Sequence, residues 1–115
     1  MASRVSEVPN SQHAQVDPRK IQEYLLSQNH PVGKNKARFF LGCGYDNLRS
    51  EQMIRELKRI VREGLVVGVD ESHFGIKYVV EGGIHCTKRP DLKVRTVWII
   101  EINSKHPRFV TAYPL

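Results

Sequence analysis

GLVVGVDESHFGIKYVVEGGI, residues 64–84, marks the point at which the pattern of the chain changes from helical to strand-like. Before Gly64, apolar residues recur at spacings of three and four, as they do along one face of a helix. After Gly64, they fall in short runs rich in valine and isoleucine. Helices that precede strands, rather than alternate with them, are typical of an antiparallel sheet covered by helices. The sequence therefore predicts an α+β fold, with N-terminal helices packed on one face of a C-terminal four-stranded antiparallel sheet.

Four β-rich runs follow Gly64, and short segments with turn residues separate them. Connections of this length fit hairpins between neighbouring strands, so we expect the strands to form a meander. Residues of alternating parity along each strand then point to opposite faces of the sheet. The predicted strands are Leu65 to Val69, Gly75 to Ile84, Val94 to Ile102 and Arg108 to Tyr113.

Three helices are predicted before the strands. Asp17 and Pro18 form a strong start signal for the first helix, which fades near Gln28. The second helix is predicted from Lys34 to Leu41, with Gly42 as its C-terminal cap. The third is the clearest, because its apolar residues recur at helical spacing and it stops at a glycine. Its predicted core face consists of Met53, Ile54, Leu57, Ile60 and Val61.

The chain has 115 residues, of which 40% are hydrophobic and 26% charged, and this composition fits one globular core. Residues 1–16 are mostly polar, so we expect a flexible N-terminal arm followed by a single α+β domain over residues 17–115. The formal net charge is +6 at pH 7. Such a charge favours an anionic partner, nucleic acid or an acidic protein, or else is simply a soluble basic surface.

The two cysteines, Cys43 and Cys86, are too few and too far apart in sequence for a disulfide scaffold. We expect each to be a small buried thiol in a reducing cytosol, so the predicted location is cytoplasmic. No apolar stretch approaches the roughly 20 residues of a membrane span, and the first residues lack the apolar segment of a signal peptide. We therefore expect no membrane partner and no secretion by the general route.

Common catalytic and cofactor motifs do not occur in the sequence. It has no GxxxxGK[ST], GxGxxG, HExxH or GxSxG pattern and no paired cysteines at zinc-binding spacing. The five histidines are scattered over the predicted arm and the ends of elements, so three metal ligands are not expected to converge. We predict neither a cofactor nor a metal site.

Strand parity places a histidine near two cations at one end of the predicted sheet. His85 shares a side of the second strand with Lys77 and Glu81. Lys93 and Arg95 share a side of the third strand with Val97 and Ile99, opposite the apolar face that contains Trp98. An imidazole can move a proton near neutral pH, and cations can stabilise charge that grows on a phosphate oxygen. Phosphodiester cleavage requires this combination. A bulge at Gly82 and Gly83 would shift the parity of His85 by one residue.

The last strand carries two hydroxyls whose direction the alternation leaves open. Thr111 and Tyr113 share a side with Phe109. If this side points away from the helices, the hydroxyls can reach a phosphate and Tyr113 can stack on a base. If it points towards them, Phe109 and Tyr113 are core residues. A further set of basic residues, which either binds phosphates or is the wet side of a short helix, consists of His30, Lys34, Lys36 and Arg38.

Two segments resemble known bacterial domains. VRTVWIIEINSKHPRFVTAYPL, residues 94–115, resembles the closing strands of ribonuclease toxins of the barnase, EndoU, colicin and RelE superfamily, in which a hairpin ends in a TAYP-like sequence. Together with HPVGKNKARFFLGCGY, residues 30–45, it is similar to a group of small uncharacterised bacterial domains associated with toxin systems. This second resemblance covers about residues 20–115.

The resemblance implies helices followed by four strands, and metal-independent RNA cleavage in which the ribose 2′-hydroxyl attacks the neighbouring phosphate. It places Thr111 and Tyr113 in the closing motif, whereas His85, Lys93 and Arg95 are candidates from strand parity alone. The two-histidine enzymes of the superfamily have a second histidine, and the sequence has none clearly paired with His85. Either a Lys, Arg or Tyr replaces it, or this domain does other work. The candidate catalytic residues are His85, Arg95, Thr111 and Tyr113, and the candidate nucleic-acid-binding residues are His30, Lys34, Lys36, Arg38 and Lys93.

The functional hypothesis is therefore a small cytoplasmic ribonuclease-type toxin or toxin-like domain of a bacterial toxin-antitoxin or polymorphic toxin system. Its partners would be RNA as substrate and a cognate antitoxin or immunity protein of acidic character, which a basic surface attracts. The alternative is a non-catalytic binding module for nucleic acid or for a partner protein. The alternative predicts salt-sensitive binding without product formation.

Overall fold

The computed structural model describes residues 7–25 and 34–115, and in this part of the chain the helices precede a four-stranded sheet. The strands pair antiparallel, each with the next along the chain. The predicted fold class and the predicted meander are confirmed. The first strand runs longer than predicted and the third begins earlier. The strands are β1 (Leu65–Ser72), β2 (Gly75–Ile84), β3 (Leu92–Glu101) and β4 (Arg108–Pro114).

The first helical segment begins where the sequence predicts. The Asp17 side chain accepts a hydrogen bond from the Arg19 N–H at 3.0 Å, and Pro18 follows it at the first helical position. The helix then widens into a π-helical turn, and its predicted end near Gln28 lies outside the described residues. The helices are α1 (Pro18–Lys20, continued by the turn Ile21–Leu25), α2 (Lys34–Cys43) and α3 (Ser50–Glu63).

Helix α2 runs two residues past the predicted end at Leu41, because Gly44 rather than Gly42 terminates it. Gly44 has a φ of 120°, which favours glycine, and its N–H donates to the Phe40 carbonyl at 3.2 Å. A Cβ at Gly44 would also overlap the Thr87 hydroxyl, whereas a Cβ at Gly42 would meet open space. Whether Gly42 or Gly44 ends the helix therefore depends on Thr87, which lies in a loop that is distant in sequence.

Helix α3 is the main cover of the sheet. Its predicted apolar face is buried, apart from the half-buried Ile54, and it contacts β2 and β3. The helix stops at Gly64, whose N–H donates to the Ile60 carbonyl at 2.7 Å. A Cβ on Gly64 would lie 2.6 Å from the Glu81 carbonyl oxygen of β2, so glycine lets the chain pass from helix to sheet at close range.

Trp98 of β3 belongs to the core. It is fully buried, and its indole N–H donates to the Thr96 hydroxyl at 2.8 Å. The Thr96 hydroxyl in turn donates to the Val80 carbonyl at 2.8 Å. Each polar side-chain atom in this series of hydrogen bonds has a partner, which offsets the free-energy cost of burying it.

A bulge in β4 decides which side of the last strand faces the core. The register of β4 against β3 shifts by one residue at Val110. Phe109 packs edge-on against Trp98, with ring centroids 5.3 Å apart, whereas Thr111 and Tyr113 lie on the face turned away from the helices. The expectation that these three residues share one side is wrong, because the bulge reverses the alternation between Phe109 and Thr111.

The segment before α1 packs against the sheet instead of fraying. Gln15 forms a parallel bridge to Arg108 of β4, and the Phe109 N–H donates to the Gln15 carbonyl at 2.9 Å. Within the range 1–16, for which the sequence predicts a flexible arm, the described residues thus include a segment that pairs with β4. The pairing covers one end of the outer edge of β4, which would otherwise present free backbone groups. The buried residues of this segment are Val8, Ala14 and Val16.

Cys43 and Cys86 form a disulfide, so the prediction of two separate thiols is wrong. Both side chains are buried, as expected, and their Cα atoms lie 4.8 Å apart. The disulfide joins the C-terminal end of α2 to the loop between β2 and β3. The 43 residues that separate the cysteines hide this proximity in the sequence, because only the packing of α2 beside the sheet creates it.

We predict that changing both cysteines to alanine lowers the free energy of unfolding by about 4 kcal/mol, the loop-closure entropy expected for a separation of 43 residues. Urea unfolding of the oxidised protein and of the double variant measures the difference. Dithiothreitol should destabilise the wild type towards the double variant and leave the variant unchanged. Equal stability of the oxidised wild type and the variant would contradict a stabilising disulfide.

Candidate functional site

Three polar side chains line up across neighbouring strands on the face of the sheet turned away from the helices, called here the open face. Glu81 of β2 pairs with Arg95 of β3, and Arg95 pairs with Tyr113 of β4. Directly opposed residues on one face have Cβ atoms about 5 Å apart. Glu81, Arg95 and Tyr113 therefore form one contiguous group, the Arg95 cluster.

Hydrogen bonds fix the guanidinium of the Arg95 cluster. Arg95 Nε donates to Glu81 Oε2 at 2.9 Å, and Arg95 Nη2 donates to the same oxygen at 2.5 Å. The hydrogen bond to Glu81, followed by that with the Tyr113 side chain, raises the pKa of Arg95 above its ordinary value. The Arg95 side chain keeps 37% of its surface exposed. A permanently charged, oriented guanidinium is thus accessible from the open face.

Two of the predicted site residues flank the Arg95 cluster. Thr111 lies two residues before Tyr113 on the same face of β4, opposite Val97. Lys93 lies two residues before Arg95 on β3 and is exposed. The structure therefore brings together Arg95, Thr111 and Tyr113 of the predicted catalytic residues, with Lys93 beside them.

His85 lies apart from this group. The pairing of β2 with β3 runs without interruption through Gly82 and Gly83, so the strand parity used in the sequence analysis holds. His85 follows the end of β2, four residues beyond Glu81, which is about 13 Å along a strand. Of the two cations that the sequence places near His85, Lys93 is therefore the nearer along the strands, because it pairs with Gly83. Parity fixes the side of a strand but not the distance along it.

The surroundings of His85 hold it in one orientation. Its Nδ1 lies 3.0 Å from Asp91 Oδ1, and its backbone N–H donates to Glu56 Oε1 at 2.9 Å. Its carbonyl accepts a hydrogen bond from the Tyr45 hydroxyl at 2.5 Å. The imidazole nevertheless keeps 57% of its surface exposed. Because Asp91 engages Nδ1, Nε2 is the nitrogen left to exchange a proton with a ligand.

Electrostatic interactions strengthen the attachment of the His85 backbone to α3 and to the loop after α2. Burial, followed by the charges of Glu56 and Asp91, raises the pKa of Tyr45 to about 12, so the phenol stays a donor. Partial burial acts to raise the pKa of Glu56, but hydrogen bonds from Arg59 and from the His85 N–H outweigh it and lower that pKa. Arg59 also donates to the Gly83 carbonyl at 2.8 Å. Glu56 and Arg59 of α3 thus hold the end of β2 through these hydrogen bonds, and this arrangement is called the clamp.

The structure describes the remaining predicted nucleic-acid-binding residues only in part. His30 lies outside the described residues. Lys34 and Lys36 lie in the first turn of α2, and their side chains are outside the described part of the molecule. Arg38 is exposed on α2, whose buried Phe40 belongs to the core on the helical side of the sheet. Of the two predicted nucleic-acid-binding residues whose side chains the structure describes, Lys93 lies beside the Arg95 cluster and Arg38 does not.

Comparison with known proteins identifies the family. The model of DUF6883, a domain of unknown function, matches residues 7–115. The chain belongs to the DUF6883 family. No curated protein matches this member. Among solved structures it resembles a chain of a contact-dependent growth inhibition toxin and immunity protein complex from Klebsiella pneumoniae 342. The identity is 13% and the TM-score 0.69, over 87% of this chain and 98% of that chain, so the DUF6883 domain shares that fold.

The described residues of the DUF6883 domain contain neither a cluster of metal ligands nor a helix that could span a membrane. Within residues 7–25 and 34–115, no three His, Cys, Asp or Glu side chains converge as metal ligands. No helix in these ranges is long and apolar enough to cross a membrane.

The sequence analysis missed two carboxylates of the DUF6883 domain. Strand parity places Glu81 on the same side of β2 as Lys77 and Gly83, and this much can be read from the sequence. Its pairing with Arg95, however, depends on the register of the hairpin between β2 and β3. Asp91 lies in the predicted connection and meets His85 only because the hairpin closes there. Strand parity alone gives neither register nor closure.

We predict that Glu56→Gln destabilises the fold at neutral pH by about 1–2 kcal/mol, since it weakens charge-assisted hydrogen bonds to Arg59 and to the His85 N–H. Because the folded-state pKa of Glu56 is lowered from 4.5, its contribution is complete above that pH. It is lost as the pH falls through the folded-state pKa. Urea unfolding across this range should show the two proteins converging in acid.

The matched control is Glu63→Gln, which removes an exposed carboxylate from the last turn of the same helix. It should leave the unfolding midpoint nearly unchanged at every pH. A Glu56→Gln protein that is as stable as the wild type at neutral pH would contradict the clamp.

Proposed function

We propose that this DUF6883 domain is a small metal-independent ribonuclease-type toxin domain of a polymorphic toxin or toxin-antitoxin system. The Arg95 cluster carries the proposal, because it places a carboxylate, a guanidinium and a phenol next to one another on an accessible sheet face. The fold shared with a chain of a toxin and immunity protein complex supports it. The resemblance of the closing strand, which contains Thr111 and Tyr113, supports the choice of RNA.

Each group of the cluster fits one requirement of RNA transesterification. The ribose 2′-hydroxyl transfers its proton to Glu81, and its oxygen attacks the adjacent phosphorus. Arg95 stabilises the negative charge on the phosphate oxygens, and the 5′-oxygen leaves with a proton from an acid. Tyr113 is the proposed acid within the cluster, and Thr111 contacts the phosphate. The products are a 2′,3′-cyclic phosphate and a 5′-hydroxyl, so protons and bonds balance without an added reagent.

His85 is proposed to act on the same substrate from the end of β2. It lies about 13 Å along the strand from Glu81, which is too far to share one phosphorus but near enough to contact an adjoining nucleotide. Its exposed imidazole, held by Asp91, presents Nε2 to the ligand. Lys93 lies between the two groups on the neighbouring strand and completes the path.

The proposed partners are RNA and a cognate immunity protein of acidic character. Attraction to both follows from the net charge of +6 and should weaken as salt rises. Because RNA is the substrate, we propose that the domain acts in the cytoplasm. The disulfide between Cys43 and Cys86 fits a chain that has met an oxidising compartment before it acts, as a toxin passed between cells would.

We predict that the purified wild type cleaves total RNA in EDTA, giving fragments that end in 2′,3′-cyclic phosphate. Arg95→Ala should lower the rate by roughly 100-fold or more, because a guanidinium on the developing charge is worth several kcal/mol. His85→Ala should lower it by roughly tenfold or more. Gel separation of labelled RNA with end-group analysis measures the rates and products.

The open face offers a matched control. Arg108 Nε lies 3.1 Å from Glu101 Oε1, a cross-strand ion pair at the other end of that face, so Arg108→Ala removes the same chemistry away from the cluster. It should cleave within about twofold of the wild type, as surface ion pairs contribute little. Equal cleavage by folded Arg95→Ala and wild type would remove the Arg95 cluster as the active site.

The alternative function is a non-catalytic binding module for nucleic acid or a partner protein. Two observations favour it: His85 stands apart from Arg95, and Glu81 already compensates the charge of Arg95. It predicts that the wild type binds RNA or an acidic protein in a salt-dependent manner and releases no fragments. Intact RNA after incubation with inhibitor-free wild type, together with measurable RNA binding, would establish this alternative.

A further inference from the structure

The loop between β2 and β3 carries a group of cations that the chemistry above does not use. Lys88 and Arg89 are exposed in this loop, and Arg49, at the start of α3, reaches it through a 3.3 Å hydrogen bond from Nη1 to the Thr87 hydroxyl. Within the described residues, none of these three cations forms an ion pair with a carboxylate. In contrast, Arg95 and Arg108 are paired.

The loop that presents these cations is held unusually firmly for an exposed segment. The disulfide attaches its first residue, Cys86, to the end of α2. The N–H groups of Thr87 and Lys88 both donate to the Cys43 carbonyl, at 3.0 and 3.3 Å, and Cys86 N–H donates to Asp91 Oδ1 at 3.2 Å. A loop fixed in advance loses little conformational entropy when it binds a ligand.

The position of the loop relates it to the Arg95 cluster. It begins directly after His85, at the end of the sheet that also carries Lys93. The other end of the open face holds compensated charge, because Arg108 pairs with Glu101 and Asp70 lies opposite Lys77. Lys93, which forms no ion pair with a carboxylate among the described residues, therefore lies between the cluster and the cations of the loop.

We propose that the disulfide-held loop Cys86–Pro90, together with Arg49, is a phosphate-binding subsite that holds RNA beyond the linkage being cleaved. The inference rests on the proposed function and specifies its substrate class as RNA several nucleotides long. Arginine forks and lysine ammonium groups bind phosphate oxygens through charge-assisted hydrogen bonds. A ligand that spans the cluster and the loop must cover about 13 Å or more of the strand direction, which a dinucleotide does not.

The test measures binding of 2′-O-methyl RNA, which lacks the nucleophile and cannot be cleaved. Fluorescence anisotropy compares strands of about 12 and about three nucleotides, between about 0.05 and 0.2 M salt. The triple variant Arg49→Ala/Lys88→Ala/Arg89→Ala should bind the longer strand roughly tenfold or more weakly. Its slope of log Kd against log salt should be smaller by about two, as expected for three lost phosphate contacts on a single strand. Its preference for the longer strand should largely disappear.

A second triple variant removes the same charge from another place. Arg55→Ala/Lys58→Ala/Arg62→Ala changes three basic residues on the outer side of α3 and should bind within about twofold of the wild type. The double variant Lys88→Ala/Arg89→Ala, which keeps the bond from Arg49 to Thr87, guards against misfolding and should lose most of the same affinity. Equal weakening by both triples, or unchanged binding by the folded double variant, would overturn the subsite.

Failure of the subsite and failure of the proposed function give different results. If the wild type leaves unmodified RNA intact but the loop variants bind the longer strand more weakly, the subsite stands and the ribonuclease proposal falls. If the wild type cleaves RNA and the loop variants bind like the wild type, the subsite falls and the ribonuclease proposal stands.

Discussion

Helix α3 buries one face of the sheet, and this burial fixes the face to which each side chain of β2 and β3 points. Successive side chains of β3 point to opposite faces of the sheet. Because Thr96 and Trp98 are buried in the core, Arg95 points to the open face. The buried indole can sit in the core because Thr96 accepts its N–H and passes a hydrogen bond on to the Val80 carbonyl. A core that is satisfied on one side thereby leaves the other side free for charged groups.

The open face acquires its chemistry through the registers of two hairpins. Glu81 reaches Arg95 through the pairing of β2 with β3, and Tyr113 reaches it through the pairing of β3 with β4. The bulge at Val110 is decisive, because it lets Phe109 stay in the core while Tyr113 turns outward. Without it, strict alternation would send Phe109 and Tyr113 to the same face, and either the core or the cluster would lose its aromatic ring.

Local sequence patterns predicted the helices and strands well, but they predicted the contacts between these elements poorly. The spacing on α3 and the β-rich runs after Gly64 specify helices and strands, because both depend on neighbours in the chain. The disulfide, the packing of Val8 and the pairing of Glu81 with Arg95 depend on residues far apart in sequence, which periodicity does not encode. The candidate site was therefore found in part. Its cations follow from strand parity and its hydroxyls from the resemblance of the closing strand, but its carboxylate and the separation of His85 from Arg95 follow only from register.

The distribution of charge gives the two ends of the proposed RNA path different roles. Glu81 compensates Arg95, so a phosphate must compete for that guanidinium and gains from it only when correctly placed. The cations of the loop Cys86–Pro90 lack such competition among the described residues and attract any polyanion at longer range. In the proposed function, the loop therefore attracts RNA and the Arg95 cluster carries out the cleavage. An acidic inhibitor that covers the loop would block RNA without reproducing the geometry of a phosphate at Arg95.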